Sequence, residues 1–195
     1  CYKDEEYAAA GISLKEDLSD CDILVGVKEQ IIDTLIPNKH YFFFSHTTKK
    51  QPYNSKMLRA IVDKKIQITD YEQLKNASKQ RVIAFGRWAG IVGAHNGILT
   101  WGKRTGLFTL KPMNQCKDLK EASSHYKNIK LETTKIVLTG TGRVANGSAE
   151  ILDMMGIKKV SANDFLTKSF EEAVYCQLET DEMFRKAADG GFDNE

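Results

Sequence analysis

Short apolar runs bounded by polar turns recur through the first part of the chain. Ile23–Val25 follows the polar turn "SDCD", and this pattern predicts a buried strand. Residues 41–45, "YFFFS", predict a second strand, because aromatic side chains suit a pleated surface. Residues 65–69, "KIQIT", alternate polar and apolar side chains and predict a third strand.

A helical pattern lies between the second and third predicted strands. Met57, Leu58 and Ile61 recur at helical spacing after Asn54, which we predict as the N-cap. Strands that alternate with helices are typical of a parallel α/β sheet. Such sheets carry ligand-binding groups at the carboxyl ends of their strands, where the connecting loops converge. We therefore predict an α/β fold whose site lies at that edge.

A long apolar segment after these strands contains glycines that would lie on one face of a helix: Gly86, Gly90, Gly93 and Gly97. Glycine in a helix interior costs about 1 kcal/mol relative to alanine, so we expect another element to pack closely along this stripe. The alternative is a connecting helix that touches a cofactor cleft between two domains. We predict that a substrate domain, residues 1–110, ends after this helix, and that residues 111–195 are the first part of an NAD-binding domain.

A glycine turn follows the apolar strand at residues 136–138 and precedes a helical pattern. Gly140 permits a tight turn, Gly142 allows the backbone to approach a pyrophosphate, and Ala145 is small enough for the helix to pack on the strand. The phosphate would meet backbone N–H groups at the helix N-terminus. This context predicts a dinucleotide site, and the alternative is a plain tight turn.

The nature of the dinucleotide depends on the next predicted strand, residues 157–160. An acid after that strand holds the ribose hydroxyls of NAD, and Asp164 is the residue in position to do so. Ser161 and Asp164 also have the spacing of a capping box for the next helix. The sequence therefore favours NAD and leaves NADP open.

Charge and hydropathy exclude several classes of partner. The 28 basic and 26 acidic residues give a formal charge of +2, so no strong field indicates nucleic acid or anionic lipid. The longest uncharged run, residues 88–102, is shorter than the roughly 20 apolar residues that a membrane span needs. We therefore expect a small molecule as the partner, and the sequence leaves the oligomeric state open.

The cysteines show no metal-binding or disulfide pattern. Cys1, Cys21, Cys116 and Cys176 include no C-x-x-C pair and no Cys/His grouping with zinc spacing. This spacing predicts no metal site. It also favours a reducing compartment, for which we expect the cytoplasm.

Two proton carriers follow the first two predicted strands. Lys28 follows the first, and His46 follows the second. Taken singly, a loop lysine is usually a solvated charge and a histidine after aromatics is usually part of the core. Upstream of a dinucleotide site, a lysine and a histidine together are able to pass protons to and from an amine during hydride transfer.

Several blocks resemble one enzyme family in the same order along nearly the whole chain. They read "GVKE", "HTTKK", "TDYEQL", "RVIAFGRWAGIVGAHNGI" and "GTGR". These blocks resemble saccharopine dehydrogenase of the lysine-forming type, and more widely the alanine dehydrogenase and pyridine nucleotide transhydrogenase superfamily. The resemblance implies two Rossmann-like domains with the active site between them. It also leads us to expect a further strand before Cys1 and more of the nucleotide domain after Glu195.

The resemblance assigns roles by position. It implies that Lys28 and His46 are the catalytic pair, and that a secondary amine is oxidised through an imine that water hydrolyses. The residues implied at the substrate are Glu29, Lys49, Glu72 and Arg81, and those implied at NAD are Gly140, Gly142, Arg143, Ala145 and Asp164. Glu72 has the alternative of an ordinary acid at a helix N-terminus.

The implied reaction releases L-lysine and 2-oxoglutarate from saccharopine with NAD. One alternative is alanine dehydrogenase, which would need only a small pocket. A long substrate with several carboxylates calls for several cations, and Lys49, Lys50 and Arg81 favour it. The other alternative is a nucleotide-binding module that is non-catalytic or resembles a transhydrogenase domain.

Overall fold

The computed structural model describes residues 2–184 of the chain. Packing divides the chain into two compact units, Cys1–Ala84 and Phe85–Glu195. Within the described residues, each unit is built on one sheet of three strands, and all strand pairs are parallel. The predicted α/β fold with parallel sheets is therefore confirmed.

The first unit forms a sheet of order β1-β2-β3. Its elements are α1 (Asp4–Ala9), β1 (Ile23–Val25), β2 (His40–Phe43), α2 (Ser55–Asp63) and β3 (Gln67–Asp70). Phe42 of β2 pairs with Val25 on one side and Thr69 on the other. Because all three strands run in the same direction, their carboxyl ends lie at one edge of the sheet.

The core of the first unit joins the central strand to α2. Tyr41 and Phe43 alternate along β2 and are buried against Met57 and Ile61, which are one turn apart on α2. The predicted helical spacing is therefore confirmed. Asn54 precedes α2 as predicted, but its side chain makes no capping hydrogen bond.

Strand β1 is exposed, and the prediction of a buried strand was wrong. Ile23 is 58% exposed and Val25 is 74% exposed. The physical reason is position in the sheet, because β1 pairs with β2 alone among the described strands. An apolar sequence predicts a strand but does not decide what covers it.

The second unit forms a sheet of order β4-β6-β5. Its elements are α3 (Gly86–Thr105), α4 (Leu119–Ser124), β4 (Lys135–Thr139), α5 (Arg143–Met154), β5 (Lys158–Lys159), α6 (Ala162–Thr167), β6 (Val174–Leu178) and α7 (Thr180–Met183). The strand, glycine turn and helix predicted around Gly140 are present as β4 and α5. Strand β5, however, pairs with β6 rather than with β4.

Sequence reasoning missed β6, which is the central strand of the second sheet. Val174 and Tyr175 are fully buried, and Cys176 is almost so. The run "VYCQL" of branched and aromatic residues carried the signal for a strand. Its length alone did not distinguish it from a short helical segment.

The glycine stripe of α3 is packed along only half its length. A Cβ atom at Gly90 would lie 1.8 Å from the carbonyl oxygen of Val144 on α5, and one at Gly86 would lie 3.1 Å from Cβ of Arg143. In contrast, Gly93 and Gly97 have no neighbour within 4 Å of an added Cβ. The expectation of close packing is correct for the first half of the stripe and wrong for the second.

Helix α3 belongs to the second unit, where it packs closely against α5. A Cβ at Gly147 of α5 would lie 2.1 Å from the carbonyl oxygen of Arg87, so the two helices approach each other through glycine on both sides. The helix predicted to end residues 1–110 therefore packs within the second compact unit. The division into a substrate domain and an NAD-binding domain stays a prediction about function.

None of the helices in residues 2–184 combines the length and apolar character needed to cross a membrane.

We expect alanine substitutions to separate the two halves of the glycine stripe. Gly90→Ala should lower the free energy of unfolding by about 1–3 kcal/mol, because a Cβ there meets backbone atoms and the helices must separate. The matched variant Gly93→Ala should raise it by up to about 1 kcal/mol, because its Cβ meets nothing and alanine favours the helix. Denaturant unfolding of both variants measures the difference, and equal effects would contradict the packing.

Candidate functional site

The carboxyl edge of the first sheet gathers the predicted catalytic and substrate residues of the first unit. Backbone hydrogen bonds extend the pairing past the strands, since Gly26 N donates to Phe42 O at 2.8 Å and Phe44 N donates to Val27 O at 3.1 Å. The loops that follow therefore begin side by side. They carry Glu29 after β1 and His46 after β2.

His46 and Glu29 are in direct contact. The distance between His46 Nδ1 and Glu29 Oε1 is 2.6 Å, and both side chains are partly buried, at 19% and 30% exposure. The hydrogen bond from His46 lowers the pKa of the Glu29 carboxyl, against the opposing effect of burial, and the positive charge of Lys28 adds to the lowering. With Nδ1 engaged by Glu29, Nε2 of His46 is the ring atom left for proton exchange.

The backbone of His46 is held in an unusual conformation. Its φ of 56° is in the left-handed region, which a residue with a side chain rarely adopts. The fully buried Ser45 precedes it, and Ser45 Oγ donates to Asp70 Oδ2 at 2.5 Å. Thr47 N in turn donates to Ser45 Oγ at 3.2 Å. These bonds fix the loop on both sides of His46.

Asp70 links two of the loops at this edge. Its Oδ2 accepts from Ser45 after β2, and its Oδ1 accepts from the backbone N of Glu72 at 2.8 Å. Sequence reasoning missed Ser45 and Asp70 as site residues, although Asp70 directly follows the predicted strand "KIQIT" and so was a polar residue after a strand end. Their role depends on pairing between strands that sequence spacing does not show.

Three of the predicted substrate-binding residues form one charged cluster. Glu72 Oε1 lies 3.5 Å from Lys49 Nζ and 3.4 Å from Arg81 NH1. Glu72 is 15% exposed, and its Oε2 is buried without a hydrogen-bond partner among the described residues. Residues 71–73 form a turn, so the alternative of an acid at a helix N-terminus was wrong.

Lys28 lies at the same edge with an exposed side chain. Its backbone oxygen accepts from Gln30 Nε2 at 2.7 Å, which shapes the loop after β1. Its charge acts on Glu29, the partner of His46. The catalytic role of the lysine and histidine pair stays a prediction.

The glycine turn of the second unit has the geometry that its sequence predicts. Gly140 has a φ of 85°, which strongly favours glycine, and its N donates to Leu178 O at 2.8 Å. Gly142 is the N-cap of α5 and lacks a side-chain cap, while Arg143 opens the helix. Ala145 is buried, as the predicted small position requires.

These features fit the phosphates of a dinucleotide. Within the described residues, an added Cβ at Gly140 or Gly142 would meet nothing within 4 Å, so the backbone is accessible to a ligand. The first turn of α5 contains no acidic residue that would repel a phosphate. The turn and the start of α5 would hold the pyrophosphate of such a dinucleotide through backbone N–H groups.

Asp164 lies in the first turn of α6, where Ser161 is the N-cap residue. Its backbone N donates to Ser161 Oγ at 3.1 Å, and its carboxylate lies 2.9 Å from Lys168 Nζ. Strand β6 also separates β5 from β4, so the loop carrying Asp164 does not follow a neighbour of the glycine-turn strand. Its assignment to the ribose stays a prediction, and the capping interpretation has direct contacts in its favour.

Comparison with known proteins begins with a family model. Residues 1–92 match the model described as "Alanine dehydrogenase/PNT, N-terminal domain". This segment includes the first sheet and the residues Lys28, Glu29 and His46 at its carboxyl edge, which we call the acid-base edge. The solved structure of an L-alanine dehydrogenase matches 91% of this chain and 49% of its own chain, with a TM-score of 0.55 and 13% sequence identity. That likeness shows the fold alone.

Two sequence relatives extend the match over most of the chain. The mitochondrial alpha-aminoadipic semialdehyde synthase of Bos taurus is 31% identical over 193 residues, which cover 86% of this chain and 21% of that protein. The saccharopine dehydrogenase [NAD(+), L-lysine-forming] of Candida glabrata is 29% identical over 178 residues, which cover 80% of this chain and 46% of that protein. The chain thus spans from about a fifth to about half of these relatives.

We expect Glu29 to stabilise the fold only while it is charged. Because its pKa is lower when folded than when unfolded, this contribution is present above the ordinary carboxyl value of about 4.3 and is lost as the pH falls through the folded pKa. The difference in unfolding free energy between the wild type and Glu29→Gln should therefore shrink on acidification. Denaturant unfolding across this range measures it.

A double-mutant cycle supplies the control for this prediction. In a His46→Gln background, the acid-dependent part of the Glu29→Gln effect should largely disappear, because the hydrogen bond from His46 is the largest cause of the lowered pKa. An unchanged pH dependence in that background would show that another group holds the Glu29 charge.

Proposed function

We propose, on the premise that residues 1–92 are an alanine dehydrogenase/PNT N-terminal domain, that this chain is part of an amino-acid oxidoreductase. The reaction we propose is the oxidative cleavage of saccharopine to L-lysine and 2-oxoglutarate with NAD. The chain's homology to saccharopine dehydrogenase supports the choice of substrate. The observation that carries the proposal is the contact between His46 and Glu29 at the carboxyl edge of the first sheet.

We propose that the residues of the acid-base edge transfer protons to and from the substrate. Glu29 accepts the hydrogen bond of His46 Nδ1 and so orients the ring and presents Nε2 as the atom that exchanges a proton. Lys28 supplies a second proton carrier next to Glu29. NAD, when bound at the turn around Gly140, supplies the acceptor for the substrate hydride.

The charged cluster beside this edge is proposed to bind substrate carboxylates. Lys49 and Arg81 are about half exposed and face the same oxygen of Glu72, so an incoming carboxylate meets two cations fixed in one place. The buried Oε2 of Glu72 offers an acceptor for an ammonium group. A substrate with both kinds of charge, such as saccharopine, matches this cluster better than the small alanine molecule.

An assay of NAD reduction by the complete gene product, with saccharopine or alanine as substrate, tests the proposal. Reduction of NAD with saccharopine, and not with alanine, is the expected result. Reduction with alanine alone would favour the alanine dehydrogenase alternative. Tight NAD binding with neither substrate oxidised would favour the non-catalytic module. The same assay with NADP tests the cofactor preference.

The cytoplasm stays our proposed compartment. Cys21, Cys116 and Cys176 are free thiols, which agrees with a reducing environment, while Cys1 lies outside the described residues. The relative from Bos taurus is named as mitochondrial. Cell fractionation with an antibody to this chain distinguishes the two compartments.

We expect Lys28→Met to reduce turnover far more than substrate binding. Loss of a proton carrier typically lowers the rate by about 10²- to 10⁴-fold, whereas the exposed Lys28 contributes little to packing. Steady-state kinetics on the complete gene product separate kcat from KM. The control is Lys56→Met, which removes an exposed lysine from α2 and should leave both constants unchanged. Equal turnover in the two variants would make Lys28 a solvated charge.

We expect the 195-residue chain to bind NAD weakly, because a dinucleotide spans two mononucleotide-binding halves and the second unit contains one three-stranded sheet in its described part. In the complete gene product, Gly142→Ala should weaken NAD binding at least about tenfold, because the added Cβ has room in the fold but not against a pyrophosphate. Calorimetric titration measures both. Gly97→Ala, which also adds an unopposed Cβ, is the control, and equal affinities would remove the turn from the site.

A further inference from the structure

Three side chains with metal-binding atoms lie together in the loop region that precedes β4. The ligand atoms of Cys116, Glu121 and His125 all lie within 4.8 Å of one another, and each residue is partly buried. None of the three belongs to the acid-base edge or the glycine turn. Their spacing along the chain does not match a familiar zinc motif, so the sequence did not indicate them.

Local structure explains why these residues meet. Asp118 caps α4 by accepting from the backbone N of Glu121, which fixes the first turn of that helix. Glu121 lies in the first turn of α4, and His125 is the C-cap residue four positions later, so the two lie on the same face. Cys116 ends the short helical turn Met113–Gln115 that precedes α4. The chain thus turns back and brings the thiol to that face.

His125 supplies the second observation that indicates a ligand. Its Nε2 is buried and has no hydrogen-bond partner among the described residues. Buried polar atoms are nearly always paired in native proteins, so a buried imidazole nitrogen without a partner is a candidate ligand atom. An imidazole nitrogen beside a thiol and a carboxylate has the donor character that a metal ion would use.

A metal ion at Glu121 would replace one of the two contacts that its carboxylate makes in this structure. One carboxylate oxygen forms an ion pair with Lys111 Nζ, and the other accepts from the backbone N of Lys117 at 2.7 Å. Lys111 is 38% exposed on a flexible stem, so its ammonium group has a path into solvent. Its release would free one oxygen for coordination without breaking the bond to Lys117.

We propose that Cys116, Glu121 and His125 form a site for a divalent transition metal ion, with zinc as the best match. Zinc accepts thiolate, imidazole and carboxylate ligands together, whereas calcium and magnesium require oxygen ligands. Three protein ligands leave the fourth tetrahedral position for water. The ion would act as a clip that joins the turn at Cys116 to both ends of α4 and so orders the segment between α3 and β4.

Calorimetric titration of the metal-free 195-residue chain with zinc chloride tests the proposal. The wild type should bind one zinc ion, and Cys116→Ser and His125→Ala should each weaken binding at least about tenfold, as loss of a direct ligand requires. Cys21→Ser removes another partly buried thiol and should bind zinc like the wild type. Equal affinity in wild type and Cys116→Ser, or no binding by the wild type, would overturn the site.

Cobalt substitution gives a spectroscopic readout that does not depend on activity. The cobalt form of the wild type should show a thiolate-to-metal charge-transfer band in the near ultraviolet, and Cys116→Ser should lack it while Cys21→Ser keeps it. Circular dichroism checks that each variant is folded. If Cys116→Ser does not fold, Glu121→Gln and His125→Gln take its place in the zinc titration, and wild-type affinity in both would overturn the proposal.

Discussion

Parallel strand pairing is the constraint on which the candidate site depends. Residues far apart in sequence meet because β1, β2 and β3 point in the same direction and release their loops at one edge. Glu29 and His46 are 17 residues apart along the chain, yet their side chains form a hydrogen bond. An antiparallel arrangement of the same strands would place these loops at opposite ends of the sheet. The contact between Glu29 and His46 at this edge therefore depends on the parallel direction of the strands.

The loops at this edge are held by polar groups rather than by apolar packing. Ser45 is fully buried, and its hydroxyl reaches Asp70 on the neighbouring strand. Because Asp70 also accepts from the backbone of Glu72, one carboxylate fixes the start of two loops. The left-handed backbone conformation of His46 is maintained because the surrounding hydrogen bonds hold the loop on both sides of it. The Ser45 and Asp70 contact thus connects the stability of the first unit to the orientation of its histidine.

The second unit depends on a different contact, the close crossing of α3 and α5. Gly90 and Gly147 each lie against backbone of the opposite helix, so that any side chain at either position would force the helices apart. This crossing holds α5 and thereby the glycine turn at its N-terminus. The face of α3 that contains Gly93 and Gly97 lies open among the described residues. Glycines on the same helix thus differ in how much an added side chain would disturb packing, because only some of them face another helix.

The sequence by itself determined the local elements and the types of residue that follow them. Apolar spacing predicted the strands of the first sheet and helix α2, and the turn at Gly140 was predictable because it needs only its own strand and helix. Positions after the first two predicted strands directed attention to Lys28 and His46, and the resemblance of five sequence blocks added Glu29. These features are local, so a short window of residues contains what decides them.

Only the tertiary structure decided which residues meet and which are covered. The exposure of Ile23, the central position of β6 and the contact between Ser45 and Asp70 all depend on strands that pair across long stretches of chain. The grouping of Cys116 with His125 likewise needs a turn and a helix to fold back on each other. Such contacts are fixed by the free energy of the whole unit, in which burial and hydrogen bonding are satisfied together. A linear pattern of residue types does not carry that information.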